Sequence, residues 1–325
     1  MRIDVTNLVE KIAASVKKHE LEPGIYSRWI DRPDTGVPDK DPNPYGSADA
    51  VNILYTINEF PRDLDERAAL IKGIQSFQNE KTGMFTEPTH ITTHTTAHCT
   101  AALELLDARP LYPFYDIESF TNFEEFKKGL EEQGFNGHYA PAIYSSFVIT
   151  NAVDSKWRDK YFDFLDESCN PETGFWCFNP ETPVYLAMAS AFHFYFTYTH
   201  AKRPFPYPEK LIDACLDMYL NGKMHDKFGK WCHFTEMDWV FCLNRSLRQT
   251  NHRYDEVKAA ILKFAIEYID ALNKIDWEKD DHLGARDLHL LFGTVCCLAE
   301  LQQALPGVIH SETPLRQVLD RRPFI

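Results

Sequence analysis

The sequence predicts an all-α protein of the (α/α)6 toroid type, with about twelve helices alternating between an inner and an outer ring. Three observations lead there. Six glycine-centred turns, at Gly46, Gly83, Gly137, Gly174, Gly229 and Gly284, divide the 325 residues into units of 37 to 55. Apolar residues recur at three and four positions within each unit, the period of an amphipathic helix. Two of the turns are near copies, Asn79-Glu80-Lys81-Thr82-Gly83-Met84-Phe85 and Asn170-Pro171-Glu172-Thr173-Gly174-Phe175-Trp176. A repeat at this period means stacked supersecondary units.

Taken in order, outer helices are expected at 4–18, 63–78, 117–133, 155–168, 208–222 and 254–273, with inner partners at 47–59, 92–107, 139–151, 183–199, 235–250 and 284–304. Ser47 is the expected cap of the second helix and Asp63 of the third, while Asp255 and Glu256 suit a first turn. The inner helices are richer in small and apolar residues, as in Ala97-His98-Cys99-Thr100-Ala101-Ala102-Leu103 and Val295-Cys296-Cys297-Leu298-Ala299. The outer ones carry Lys and Glu on one face. Strand signals are nearly absent.

With 44% hydrophobic residues and no composition break, the chain reads as one domain over 1–325. Segment 33–46 is read either as a lid over the cavity mouth or as packing along the outside, and 306–325 as a tail able either to fold back or to dock on a neighbouring subunit. A net charge of −14 without a basic stripe argues against nucleic-acid and anionic-membrane partners. No run of about 18 apolar residues exists, and the first residues carry no apolar signal core, so a cytoplasmic protein is expected. Eight cysteines are too few for a disulfide framework, and most sit in apolar helical stretches as reduced core residues.

The segment from Phe77 through Gly83 to Leu106, including Thr95-Thr96-Ala97-His98, resembles a repeat of the squalene-cyclase and protein-prenyltransferase superfamily. The block Asn170 to Phe175, followed by Tyr185 to Tyr198, resembles a second. The resemblance implies a toroid of concentric helices and an isoprenoid cyclase or transferase as one possible activity. Departures weaken the activity. The Asp-x-Asp-Asp motif of the cyclases does not occur, and Asp213-Ala214-Cys215, which looks like the zinc pair of the transferases with His289 as distant ligand, places Asp213 and Cys215 about 200° apart on an outer helix. Toroids also host glycoside hydrolases and lyases, so fold alone assigns no chemistry.

Chemistry is expected where loops lead into inner helices. The first such lead-in offers Tyr45 and Asp49; the second His90, His94 and His98; the fifth Glu236, Asp238 and Trp239; the sixth His282, Arg286, Asp287 and His289. Asp49, His94, His98, Glu236, Asp238 and Asp287 are the candidate catalytic groups, since two carboxylates from different helices protonate a leaving oxygen and activate water. Tyr45, His90, Tyr144, Trp176, Trp239, His282, Arg286 and His289 are the candidate substrate contacts, with aromatic faces suited to sugar rings. Each has a plainer reading: buried His and Trp are core, helix-start carboxylates are caps, and Arg286 with Asp287 is a structural ion pair. His94 and His98, at i and i+4, have metal-ligand spacing, but no third ligand is fixed, and neither metal nor cofactor is assigned. The leading expectation is a hydrolase or lyase acting on a small sugar or oligosaccharide. The alternatives are an isoprenoid enzyme and a non-catalytic binding or scaffold protein.

Overall fold

The computed structural model describes residues 2–31, 40–177, 179–277 and 283–324, and residues 33–39 of the expected lid lie outside them. The chain is α-helical: α1 (Thr6–His19), α2 (Pro44–Thr56), α3 (Leu64–Gln75), α4 (Thr92–Leu105), α5 (Glu118–Thr121), α6 (Phe123–Glu132), α7 (Ala140–Ile149), α8 (Ser155–Ser168), α9 (Val184–Ala201), α10 (Pro208–Leu220), α11 (Thr235–Ser246), α12 (Tyr254–Asn273), α13 (Leu283–Arg286), α14 (Leu288–Ala304) and α15 (Val318–Arg321). Strands among the described residues are short. β1 (Ile3–Asp4) pairs in parallel with β4 (Ile309–His310), and β2 (Glu20–Glu22) pairs antiparallel with β3 (Ile25–Tyr26). Among the described residues, no helix is long and apolar enough to cross a membrane.

Each long helix falls within a few residues of its expected place, and local chemistry explains the departures. The helix expected at 117–133 is two, because Asn122 turns extended and its side chain accepts the amides of Glu124 and Glu125, restarting the helix as α6. The helix expected from 284 breaks at Asp287, which bridges Trp29 in extended conformation and becomes the cap of α14. Asn43, not Ser47, caps α2, while Ser47 Oγ accepts the Tyr26 amide at 3.0 Å. Asp63 caps α3 as expected.

The paired turns share one hydrogen-bond scheme. Asn79 N–H reaches Met84 O at 2.9 Å, and Gly83 N–H reaches Asn79 O at 2.7 Å. In the second copy Asn170 N–H reaches Phe175 O at 2.9 Å and Gly174 N–H reaches Asn170 O at 2.8 Å. Both glycines take a left-handed φ, +73° and +72°, which side chains resist. Thr82 and Thr173 hydroxyls close each turn by accepting the amide two residues on.

Two compact units emerge. The first comprises Met1–Phe77, His225–Asn244 and Arg253–Val318; the second comprises Gln78–Met224, Arg245–His252 and Leu319–Ile325. In the first unit α14 packs on α2 and α12, and α2 also meets α1 and α3. In the second α4 packs on α7, α7 on α9, α9 on α10, and α6 on α8. Helices buried almost throughout alternate with helices buried on one face: α4 is buried from Thr93 to Leu103 without a break, whereas α3 buries only Leu70, Gly73 and Ile74. None of the eight cysteines is in a disulfide, and Cys99, Cys215, Cys242, Cys296 and Cys297 are buried, as expected of core residues.

The tail folds back. Ser145 Oγ donates to Pro323 O at 2.6 Å, Arg321 bonds Glu104 at 2.6 Å and Asp107 at 2.8 Å, and the fully buried Phe324 ring meets His94 and Phe196 edge-on.

Candidate functional site

In the first unit, the start of α14 is built around Asp287. Its carboxylate accepts His289 N–H at 2.9 Å, Arg28 Nε at 3.1 Å and Trp29 Nε1 at 3.1 Å. The backbone beside it joins in, since Leu288 N–H donates to Arg28 O and Ile30 N–H to Arg286 O, both at 3.0 Å. The ion-pair partner of Asp287 is therefore Arg28, 259 residues away, and not its neighbour Arg286. Burial disfavours the Arg28 charge, but Asp287 and then Asp49 more than offset this, and its pKa is raised. The guanidinium also lies over the Trp29 ring at 4.5 Å and the Tyr45 ring at 5.2 Å.

Asp49, fully buried in α2, meets His289 Nδ1 at 3.1 Å. When Nδ1 donates that bond, the imidazole is fixed with Nε2 as its basic nitrogen. Tyr45 packs edge-on against the ring at 4.6 Å and Phe234 lies at 4.3 Å, so His289 is held by contacts as well as by charge. Phe234 immediately precedes α11, and this contact brings the starts of α11 and α14 together.

Glu236 and Asp238 stand in the first turn of α11, where the helix dipole favours carboxylates. Glu236 Oε1 accepts Gly229 N–H at 2.7 Å, so this carboxylate also closes a left-handed glycine turn. Burial outweighs that bond and pushes the Glu236 carboxyl up to about 7. Asp238 is raised too, by burial first and Glu236 second. Oε2 of Glu236 and Oδ1 of Asp238 are buried without a hydrogen-bond partner in the protein. His225 and His233 each bring a ring nitrogen within 4.8 Å of a Glu236 oxygen and of one another. Burial and then His225 hold His233 down to about 4, against the pull of Asp287. Trp231 stacks on His233 at 5.3 Å, with Lys227 over the Trp231 ring at 4.1 Å.

Tyr45, Asp49, Glu236, Asp238, Asp287 and His289 thus belong to one unit, together with Arg28, Trp29, His225, His233 and Phe234, which sequence reasoning did not single out. His225 and His233 flank the Gly229 turn, a signal that was legible. Arg28 and Trp29 carry none, because their partner lies at the other end of the chain. Trp239 is in the same unit but fully buried against Phe228 and Phe264. Arg286 accepts Ile30 N–H through its backbone carbonyl, and His282 lies outside the described residues.

No family model, curated protein or solved structure matches this chain.

The second unit holds His90, His94 and His98. His90 stacks on His94 at 5.0 Å and bonds Glu87 at 2.7 Å through Nδ1; His98, fully buried, meets Phe324 at 6.3 Å. Tyr144 bonds His200 Nδ1 at 3.1 Å, and Trp176 donates to Leu165 O at 2.9 Å, both within packed aromatic surroundings. Asp213 on α10 bonds His252 Nε2 at 2.8 Å. Two further imidazoles, His138 and His193, complete a cluster around His94.

Proposed function

We propose that this chain is an acid–base enzyme acting on a small sugar or oligosaccharide, as a hydrolase or lyase, with its chemistry in the first unit. The same reading takes the alternating fully and half-buried helices as members of an α/α toroid, and the reduced cysteines suit a cytoplasmic setting. The observation that carries it is the Asp49-oriented His289 beside a helix start whose Glu236 holds its proton to about pH 7. An imidazole fixed by a carboxylate is a competent base, and a carboxyl titrating near neutrality is a competent acid. The half-buried Trp231 and Phe234 rings nearby are aromatic surface of the kind sugars stack on.

In hydrolysis, Glu236 would give its proton to the glycosidic oxygen while His289 takes one from the attacking water. In elimination, His289 would take the proton next to a uronate carboxylate and Glu236 would protonate the departing oxygen. Asp287 and Arg28 neutralise each other and position His289 through its backbone.

The test is turnover of neutral and uronate oligosaccharides, read as new reducing ends and as unsaturated product, which separates the two reactions. His289→Ala and Glu236→Gln are each expected to lower kcat/KM by about 10²–10⁴. Wild-type kcat/KM should fall as pH rises through about 7, where Glu236 loses its proton. Unchanged turnover in both variants, or no turnover of any sugar, refutes the proposal.

A further inference from the structure

We propose that His94, His138 and His193 form a divalent-metal site in the second unit, with zinc as its occupant. The three imidazoles come from three places: α4, the loop before α7, and α9. One ligating nitrogen of each lies within 4.8 Å of the others. The ring centroids are 4.8 Å apart for His94 and His138, 4.8 Å for His138 and His193, and 6.4 Å for His94 and His193. Tetrahedral zinc with Zn–N of about 2.0–2.1 Å needs nitrogens about 3.3 Å apart. Closing the remaining gap takes movements of about 1 Å, which side-chain rotation supplies, and the outward-facing His138 is the freest to move.

Several features of the surroundings are those of a built ligand set. His193 Nδ1–H donates to Ala189 O at 2.7 Å, which fixes the tautomer with Nε2 as the metal-binding nitrogen. The loop carrying His138 is stapled to α9: Ser190 Oγ accepts Gly137 N–H at 2.8 Å and donates to Phe135 O at 3.1 Å. Gly137 is required for that approach, since a Cβ there would stand 2.4 Å from Ser190 O and 3.1 Å from the His193 Cβ. Phe324 against His94 and Phe192 against His193 give the cluster an apolar back wall. Glu87 holds His90 behind His94, so His90 braces the ligand ring by stacking. Imidazole nitrogens without thiolates suit zinc, copper and nickel more than magnesium or calcium.

Three histidines leave a fourth position for water or substrate, the arrangement of reactive rather than structural zinc. This site stands on residues other than those of the proposed acid–base chemistry, and neither depends on the other.

The experiment strips the full-length protein with a chelator, then titrates ZnCl2 against a chromophoric competitor and records the visible spectrum of the Co2+-loaded form. One zinc per chain is expected. His138→Asn and His193→Gln should each weaken zinc more than about 100-fold, beyond the 10–100-fold typical of changes one shell further out. Both should alter the Co2+ spectrum while leaving the far-ultraviolet circular dichroism unchanged. His252→Asn should leave affinity and spectrum as in the wild type. The proposal is overturned if the stripped protein takes up no zinc, or if His225→Asn, which alters the first unit's His225, His233 and Glu236 group, abolishes binding while His138→Asn does not.

Discussion

Glu236 is a carboxyl whose environment works against its charge. Its folded pKa of about 7 exceeds the ordinary 4.5, so between those values the folded chain holds a proton that the unfolded chain has lost. Stability from this group is therefore highest below about pH 4.5 and declines as pH rises through 7. Glu236→Gln removes the liability and keeps an acceptor for Gly229 N–H. The variant is expected to gain up to about 3 kcal/mol over wild type at pH 8 and almost nothing at pH 4, measured by urea unfolding at both. An equal gain at the two pH values would show that charge burial is not the cause. The same side chain is legible in sequence as a helix-start carboxylate, but its raised pKa is not, because that depends on how completely α12 and α14 cover it. Asp287 teaches the converse. Adjacency in sequence points to Arg286, whereas the extended 28–30 segment delivers Arg28 from 259 residues away.

At the scale of elements, the helices were readable because two local signals agree: apolar period and glycine turn. The repeated Asn-x-x-Thr-Gly turns are the clearest case, since every hydrogen bond within them is short range. Where the reading departs, the reason is a side chain recruited elsewhere, as with Ser47 bonding Tyr26 rather than capping α2. The glycines are not equivalent. Gly83 has φ +73° and a Cβ there would sit 2.0 Å from Pro113 O, while Gly222 has φ +63° and open space around it. Gly222→Ala should cost roughly 1–2 kcal/mol, the left-handed penalty alone. Gly83→Ala adds a backbone clash and should cost roughly 3 kcal/mol or more. Urea midpoints of the two variants decide it, and equal losses would mean that the close approach to Pro113 is easily relaxed.

For the whole molecule, the important fact is that neither compact unit is continuous in sequence. Residues 78–224 supply most of the second unit, yet Gln249 satisfies Phe205 N–H at 2.7 Å, His252 pairs with Asp213, and Phe324 fills the wall behind His94. A fragment of residues 78–224 is expected to lack a cooperative thermal transition and to bind hydrophobic dye, whereas the full chain melts sharply. A fragment that melts as sharply as the intact protein would refute this. Long-range closure of this kind left no trace in composition, which is uniform along the chain, so the sequence reads as undivided. Likewise the three-histidine cluster draws on two helices and a loop, and no local pattern in the sequence links His94, His138 and His193.

The folded-back segment around Phe324 also sets an order of events during synthesis. The ribosome makes residue 319 about 95 residues after residue 224, a delay on the order of 5–20 s at ordinary elongation rates. Throughout that interval His94 and Phe196 lack the ring that packs on them, and Glu104 and Asp107 lack Arg321. The nascent second unit must wait with an apolar face exposed, which makes it a natural client for chaperones until its final segment arrives.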